Sequence, residues 1–340
     1  MRVLVTGGTG FVGAHTTAAL LAAGHEVRLL VRAPERIAAA LRPLGITEPV
    51  DYVVGDITDQ DSVERAVRGC DSVLHAAAVY SLDSRRYREV ARTNLAGTGH
   101  VLRSAVEQGC DPVVHISSTV ALLRRAATVT PDSPLSSVPG VYVGSKVESE
   151  AVARRWQEAG APVVVVSPGA VLGPHDPHLG EQARVVRDVL RGLYPLWPTG
   201  GVHTVDVRDV AQVNTAVMMP GKGPRRYLVA GHFVDGRALF GTLREVTGRR
   251  LPYLVMPASG LLPVAWVASK VQRVLPFHLP AEYEGALIVK QRTRFDTSRT
   301  TEELGVGVRP LVDMYADVVR WLHQTGQLTA RQAGTAAGPA

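Results

Sequence analysis

The chain has 340 residues, 46% of them hydrophobic and 20% charged, with a formal net charge of +6. That composition excludes a disordered chain and bounds the fold to one large domain, or a nucleotide domain with a smaller one attached. The charge is scattered without a basic block or a nucleic-acid motif, and the two cysteines give neither a disulfide framework nor a metal spacing, so no nucleic acid and no metal are expected.

In chain order, Val3-Leu4-Val5 reads as a strand, and about Phe11 to Ala23 as a helix stopped by Gly24. Val27 to Val31 is a second strand, Glu35 to Leu44 helical, and Asp51 to Val54 a third strand ended by Gly55-Asp56. A helix near Asp61 to Arg68, a strand at Ser72 to His75 and a long helix near Tyr87 to Gln108 follow. Pro112 to Ile116, a helix near Val141 to Ala159 and Pro162 to Val166 complete the series. The strands are short apolar runs without alternation, as strands buried on both faces read. Strand and helix alternating at this spacing predict an α/β fold: a Rossmann doubly wound parallel sheet that binds ligand beyond the carboxyl ends of its strands.

After Pro168 the pattern loosens, with Pro174, Pro177, Pro195 and Pro198 breaking it. Val205 to Ala211 reads as a return to the first domain and Tyr227 to Ala230 as a further strand. The expected division is a dinucleotide-binding domain at 1–167 with a return segment near 203–220. A smaller, mainly helical substrate lobe covers 168–202 and 221–325, and a frayed tail covers 326–340. No charged-then-apolar signal precedes the first strand and no apolar run reaches the length of a bilayer span, so a cytoplasmic protein is expected. Abundant arginine and alanine with scarce lysine fit a bacterial source.

The segment Thr6-Gly7-Gly8-Thr9-Gly10-Phe11-Val12-Gly13 follows the first strand and opens a helix, the context that a dinucleotide fingerprint needs. Gly7 lets the chain turn sharply, Gly10 lets backbone approach a pyrophosphate, and Gly13 lets the helix pack close to the sheet. With Thr9, Phe11 and Val12 they form a helix N-terminus, where unpaired N–H groups and the dipole favour phosphate. Arg32, not a carboxylate, ends the second strand. A guanidinium there can pair with a 2′-phosphate, which favours NADP(H) over NAD(H); a plain surface arginine is the alternative. Asp56 is placed to accept from an adenine amino group with Ile57 against the ring, or else to be a turn carboxylate capping the next helix. Ala76, Ala77 and Ala78 would let backbone lie close to the cofactor. Ser117 is counted with these cofactor contacts.

Ser118 closes the fifth strand, and Tyr142 and Lys146, four apart, share one helix face. A free tyrosine titrates near about 10, so it needs a neighbouring positive charge to exchange a proton at neutral pH. A serine hydroxyl beside the phenol can orient a carbonyl or an alcohol.

With Asn94, Pro168 to Pro174 and Val205 to Ala211, these motifs resemble an extended short-chain dehydrogenase/reductase of the NAD-dependent epimerase/dehydratase superfamily. Val31-Arg32, Ser117-Ser118-Thr119 and the stretch from Tyr227 to Pro252 are similar to the dihydroflavonol-reductase-like group, which includes ketone reductases and is similar to hydroxysteroid dehydrogenases. The resemblance implies that Tyr142 exchanges the proton, Lys146 lowers its pKa and holds ribose, and Ser118 orients the carbonyl. It makes Asn94 a structural or proton-relay residue by the cofactor and sets Pro168, Gly169 and Val171 on the nicotinamide side. Many relatives carry Tyr-Gly where this chain has Ala121-Leu122-Leu123, an apolar wall that suits a sugar nucleotide poorly.

The implied function is NADP(H)-dependent reduction of a ketone, or oxidation of a secondary alcohol, on a mid-sized apolar small molecule. An epimerase or dehydratase that returns the hydride, an NAD-dependent hydroxysteroid-dehydrogenase-like enzyme and a non-catalytic cofactor-binding protein are the alternatives. Leu254 to Leu275, with Trp266, Lys270 and Arg273, reads first as lobe core, next as a lipophilic pocket; membrane contact is not expected. Tyr80, Leu82, His175 and Trp197 neighbour the motifs and could face a pocket. By analogy, a homodimer through the two long helices is expected.

Overall fold

The structure, a computed structural model, describes residues 1–80, 87–257, 260 and 283–338. In chain order the first elements are β1 (Arg2–Thr6), α1 (Phe11–Ala22), β2 (Glu26–Val31), α2 (Glu35–Leu41), β3 (Asp51–Val54), α3 (Gln60–Val67) and β4 (Ser72–His75). Then come α4 (Tyr87–Glu107), β5 (Val113–Ile116), β6 (Thr128–Val129), α5 (Val141–Glu158), β7 (Val163–Pro168), β8 (Ala170–Leu172), α6 (Glu181–Leu190), β9 (Leu196–Pro198), β10 (Gly201–Asp206) and α7 (Val207–Ala216). The rest comprises β11 (Arg225–Val229), β12 (His232–Asp235), α8 (Gly236–Thr247), β13 (Leu254–Met256), α9 (Tyr283–Gln291), β14 (Arg294–Phe295), α10 (Ser298–Leu304), α11 (Leu311–Gln324) and α12 (Ala330–Ala333).

Seven strands form one sheet in the order β11-β7-β5-β4-β1-β2-β3. Every pairing in it is parallel. The apolar runs are explained by burial on both faces. Val3, Val5, Leu29, Val114 and Val164 pack with Ala14 and Leu20 of α1 and Val210 and Val213 of α7. Their neighbours Leu4, Leu30, Val73, Val113 and Val163 pack on the other face with Val63 of α3, Val101 and Leu102 of α4 and Ala153 of α5. Each such side chain contributes about 1.5–3 kcal/mol of burial. Strand order reverses between β1 and β4, so their carboxyl ends flank the crevice where such sheets take ligand.

The second core joins Val186 and Leu190 of α6, Phe240 and Leu243 of α8, and Val318 and Leu322 of α11. Beside it lie a three-stranded sheet β12-β10-β8 and the pair β13-β9, so this part is less purely helical than expected. The return segment divides its work: β10 joins the small sheet, while α7 returns to α1, where Asn214 Nδ2 donates to Thr16 Oγ1 at 2.9 Å.

Two expectations are corrected. Residues 225–229 were assigned to the lobe, but β11 pairs with β7 at the edge of the main sheet. Helix α10 covers that edge, with Thr300 Oγ1 donating to the Leu228 carbonyl at 2.7 Å and the Tyr227 hydroxyl to Glu303 at 2.8 Å. The tail was expected to fray, yet Leu328 and Ala333 are buried in the second core, and Thr329 and Gln332 form a capping box for α12. Leu82 and residues 261–275, with Trp266, Lys270 and Arg273, lie outside the described residues. Among the described residues no helix is long and apolar enough to cross a membrane, and no cluster of potential metal ligands occurs.

Candidate active site

The glycine turn lies at the carboxyl end of β1. Gly7 has φ +75°, and a Cβ there would stand 2.7 Å from the Ala77 nitrogen and 2.8 Å from the Ala76 carbonyl carbon. Residue 7 is thus glycine for two reasons, its left-handed backbone and the chain leaving β4. A Cβ on Gly13 would collide with the Gly7 carbonyl oxygen. Gly10 takes the cap position of α1 and offers no side chain, so the first-turn N–H groups have no side-chain cap. This cradle fits a pyrophosphate: donors converge, and there is no side chain to fill the space. The Phe11 ring rests edge-on against His15, and Val12 packs on the sheet core. Thr6 Oγ1 ties β1 to β4, 2.8 Å from His75 Nδ1. Burial lowers the His75 pKa to about 3, with the Lys146 charge adding to it, so the ring stays neutral.

At the ends of β2 and β3, the Arg32 side chain is 71% exposed and lies 3.9 Å from Asp56 Oδ2. Asp56 Oδ1 accepts from both the Thr58 N–H and its hydroxyl, each at 2.8 Å, and Oδ2 faces Arg32; the cap of α3 is Asp59, so Asp56 closes the turn after β3 and does not cap the helix. Burial works to raise the Asp56 pKa, but the Thr58 bonds and the Arg32 and Arg92 charges outweigh it and hold the carboxylate ionised. Ile57 is buried against Gly97, where any Cβ would collide with it. Ala78 is exposed and Ala76 and Ala77 half-buried beside the turn.

The Ser118, Tyr142 and Lys146 side chains are all nearly buried. Ser118 follows β5 and caps a short turn, its Oγ accepting from the Val120 N–H at 3.4 Å. Tyr142 packs with Val79, Val90 and Val120. Burial raises the Tyr142 pKa above its ordinary value, a hydrogen bond with Ser118 opposes the rise, and the Glu181 and Glu284 charges add to it. The expected lowering by Lys146 is therefore not the balance of this site: burial and two carboxylates keep the phenol protonated. Lys146 itself is lowered by burial to about 8, with Glu150 opposing.

Ser117, expected on the cofactor side, turns its hydroxyl into the protein. Its Oγ donates to Glu150 Oε2 at 2.6 Å, and Glu150 is held by Arg154 at 2.6 Å, all within the protein. Asn94 Oδ1 accepts from the Val79 N–H at 2.8 Å, and its amide nitrogen reaches the Val79 carbonyl and Ser145 Oγ, so it braces the chain after β4 against α4 and α5. Pro168 is buried at the end of β7, a Cβ on Gly169 would stand 2.6 Å from the Ala230 and His203 carbonyl oxygens, and Val171 pairs with Val205. Leu122 packs with Val129 and Leu228 in a core, so Ala121-Leu122-Leu123 is buried and is no pocket wall.

Sequence reasoning missed three acids. Glu150, four residues beyond Lys146, shares the face of Tyr142 and Lys146 and could have been found by extending that spacing. Glu181, on the first turn of α6, accepts from the Tyr80 hydroxyl at 2.6 Å, and the Tyr80 ring stands edge-on to Tyr142 with centroids 4.9 Å apart. Of the expected pocket neighbours, Trp197 instead packs edge-on against Phe240 at 5.6 Å and Tyr194 at 6.0 Å, in the second core. The third acid, Glu284, has no local sequence signal.

The profile of the NAD dependent epimerase/dehydratase family matches residues 3–230. A Synechocystis protein named as a dihydroflavonol 4-reductase is 31% identical over 331 residues, 95% of this chain and 94% of that one. The 4-hydroxy-2-methyl-3-oxo-4-farnesyl-3,4-dihydroquinoline-1-oxide ketoreductase of Stigmatella aurantiaca is 28% identical, covering 99% of this chain and 97% of its own. Among solved structures, the dTDP-glucose 4,6-dehydratase DesIV of Streptomyces venezuelae, with NAD bound, superposes with a TM-score of 0.75 at 25% identity, over 95% of this chain and 97% of that one. This chain belongs to the NAD dependent epimerase/dehydratase family, the extended short-chain dehydrogenases/reductases, whose members are NAD(P)-dependent oxidoreductases, epimerases and dehydratases.

Proposed function

We propose that the protein reduces a ketone on a mid-sized, largely apolar molecule, with NADPH as the reductant and Ser118, Tyr142 and Lys146 as the catalytic residues. The observation that carries the reading is the buried Tyr142 phenol beside the Ser118 hydroxyl, in surroundings that favour its protonated form. When bound, the cofactor supplies a hydride to the carbonyl carbon. Tyr142 donates its proton to the carbonyl oxygen, so hydride and proton together turn C=O into CH–OH. Ser118 donates a hydrogen bond that orients that oxygen, and the Lys146 ammonium stabilises the phenolate left behind. Gly7, Gly10 and Gly13 leave room for the pyrophosphate over α1, and Arg32 pairs with the 2′-phosphate. The ketoreductase name of the Stigmatella relative and its farnesyl-bearing substrate support a net reduction on an apolar ketone.

The likeness to a dTDP-glucose 4,6-dehydratase favours one other reading, transient oxidation with return of the hydride. The test is consumption of NADPH or NADH with a panel of apolar ketones, with product analysis. The proposal expects alcohol formed in step with NADPH consumed, and about 10²–10⁴-fold more slowly with Tyr142→Phe. Turnover without change in the cofactor's redox state would reject it in favour of the second reading.

A further inference from the structure

Helix α5, which carries Tyr142 and Lys146, has no cap of its own. Gly140 stands at its cap position without a side chain, and its first turn holds no acidic residue. The cap comes from α9, 143 residues beyond Val141. Glu284 Oε2 accepts from the Val141 N–H at 3.2 Å and Oε1 from the Val143 N–H at 2.8 Å. The Tyr142 N–H and the Tyr87 hydroxyl also donate to this carboxylate, which belongs to a residue only 3% exposed. Glycine at 140 is what admits it, because a Cβ there would lie 2.6 Å from the Glu284 carboxyl carbon. A carboxylate at a helix N-terminus satisfies orphan donors and complements the dipole.

We propose that Glu284 is the residue that positions Tyr142 for proton donation, by fixing the first turn of α5 through its backbone. The inference rests on the reading of Tyr142 as the proton donor. It adds a second effect: a negative charge beside the phenol disfavours the phenolate. Among the described residues, the polar groups that act on the phenol are Ser118 after β5, Tyr80 after β4, Glu181 on α6 and Glu284 on α9, with Lys146 one helical turn on along α5; α4 presents Val90. Of these, Ser118 favours the phenolate, and Glu181 and Glu284 oppose it.

The test uses Glu284→Gln and Glu284→Ala in the full chain. Without substrate, amide hydrogen exchange at Val141 and Val143 should quicken by roughly tenfold in the alanine variant and less in the glutamine variant, which keeps one acceptor. In turnover, kcat should fall by about tenfold while KM for the ketone holds, and in the alcohol-oxidation direction the acid limb of kcat in Glu284→Gln should move roughly half a unit to lower pH. Unchanged exchange in both variants overturns the proposal, and so does a loss of kcat with the limb unmoved, which a purely structural role would give. Should Glu284→Ala fail to fold, the isosteric glutamine variant carries both readouts. Should no carbonyl be reduced, the reductase reading falls while the exchange result still decides whether Glu284 fixes the turn.

Discussion

Two arginine–carboxylate pairs, one at the ends of β2 and β3 and one on α5, are built in opposite ways. Arg32 and Asp56 stand 3.9 Å apart, with side chains 71% and 38% exposed. Arg154 and Glu150 meet at 2.6 Å, with side chains 13% and 1% exposed, and Glu150 also takes the Ser117 hydroxyl. An exposed pair is worth about 0–1 kcal/mol and leaves its arginine free to turn to a ligand phosphate. A buried pair holds its neighbours rigid, and removing one partner strands the other charge. On the proposed function, the exposed Arg32 pair suits recognition of a ligand, and the buried pair on α5 suits fixed geometry on the helix that carries Tyr142.

The comparison can be broken or sharpened by substitution. The largest effect is expected at the sealed end. Tyr142→Phe should lower kcat by about 10²–10⁴-fold, the usual worth of general acid catalysis, with cofactor affinity retained in a binding titration. Glu150→Ala should cost about 3–5 kcal/mol in urea unfolding, because Arg154 loses its buried partner. A cost near that of a surface substitution would show that the pair is not rigid. At the open end, Arg32→Ala should weaken NADPH by roughly 10–100-fold, the worth of a charged hydrogen bond, and leave NADH unchanged in the same titration. Its unfolding free energy should move by less than about 0.5 kcal/mol.

A further test uses pH. Lys146 is lowered by burial to about 8, so its ammonium is present below that pH and lost above it. The profile of kcat/KM for the cofactor, which reports the free enzyme, should therefore fall as pH rises through about 8. A profile flat to pH 10 would remove Lys146 from that role.

Much of this was legible in the sequence, for physical reasons that also mark the limit. The first strands showed because side chains buried on both faces must be apolar, and the glycine turn because Gly7 and Gly13 have neighbours that admit no Cβ. Tyr142 and Lys146 showed through helical spacing. Adjacency to Ser118 said nothing about where Ser117 points: just past the end of β5 its hydroxyl turns to Glu150, while Ser118 Oγ accepts from the Val120 N–H. The packed tail carried a readable signal, Thr329 followed three residues later by Gln332, that its Ala- and Gly-rich composition obscured. Glu284 could not have been found, since its partners on α5 are brought to it only by the tertiary fold.

The account turns on net transfer of a hydride from cofactor to substrate. The most direct measurement is turnover of an apolar ketone with NADPH deuterated at the transferable position of the nicotinamide ring, followed by mass spectrometry of the product. The account predicts one deuterium on the new carbinol carbon for each NADPH oxidised. Product formed without deuterium and without net oxidation of the cofactor would contradict it and assign the site to transient oxidation.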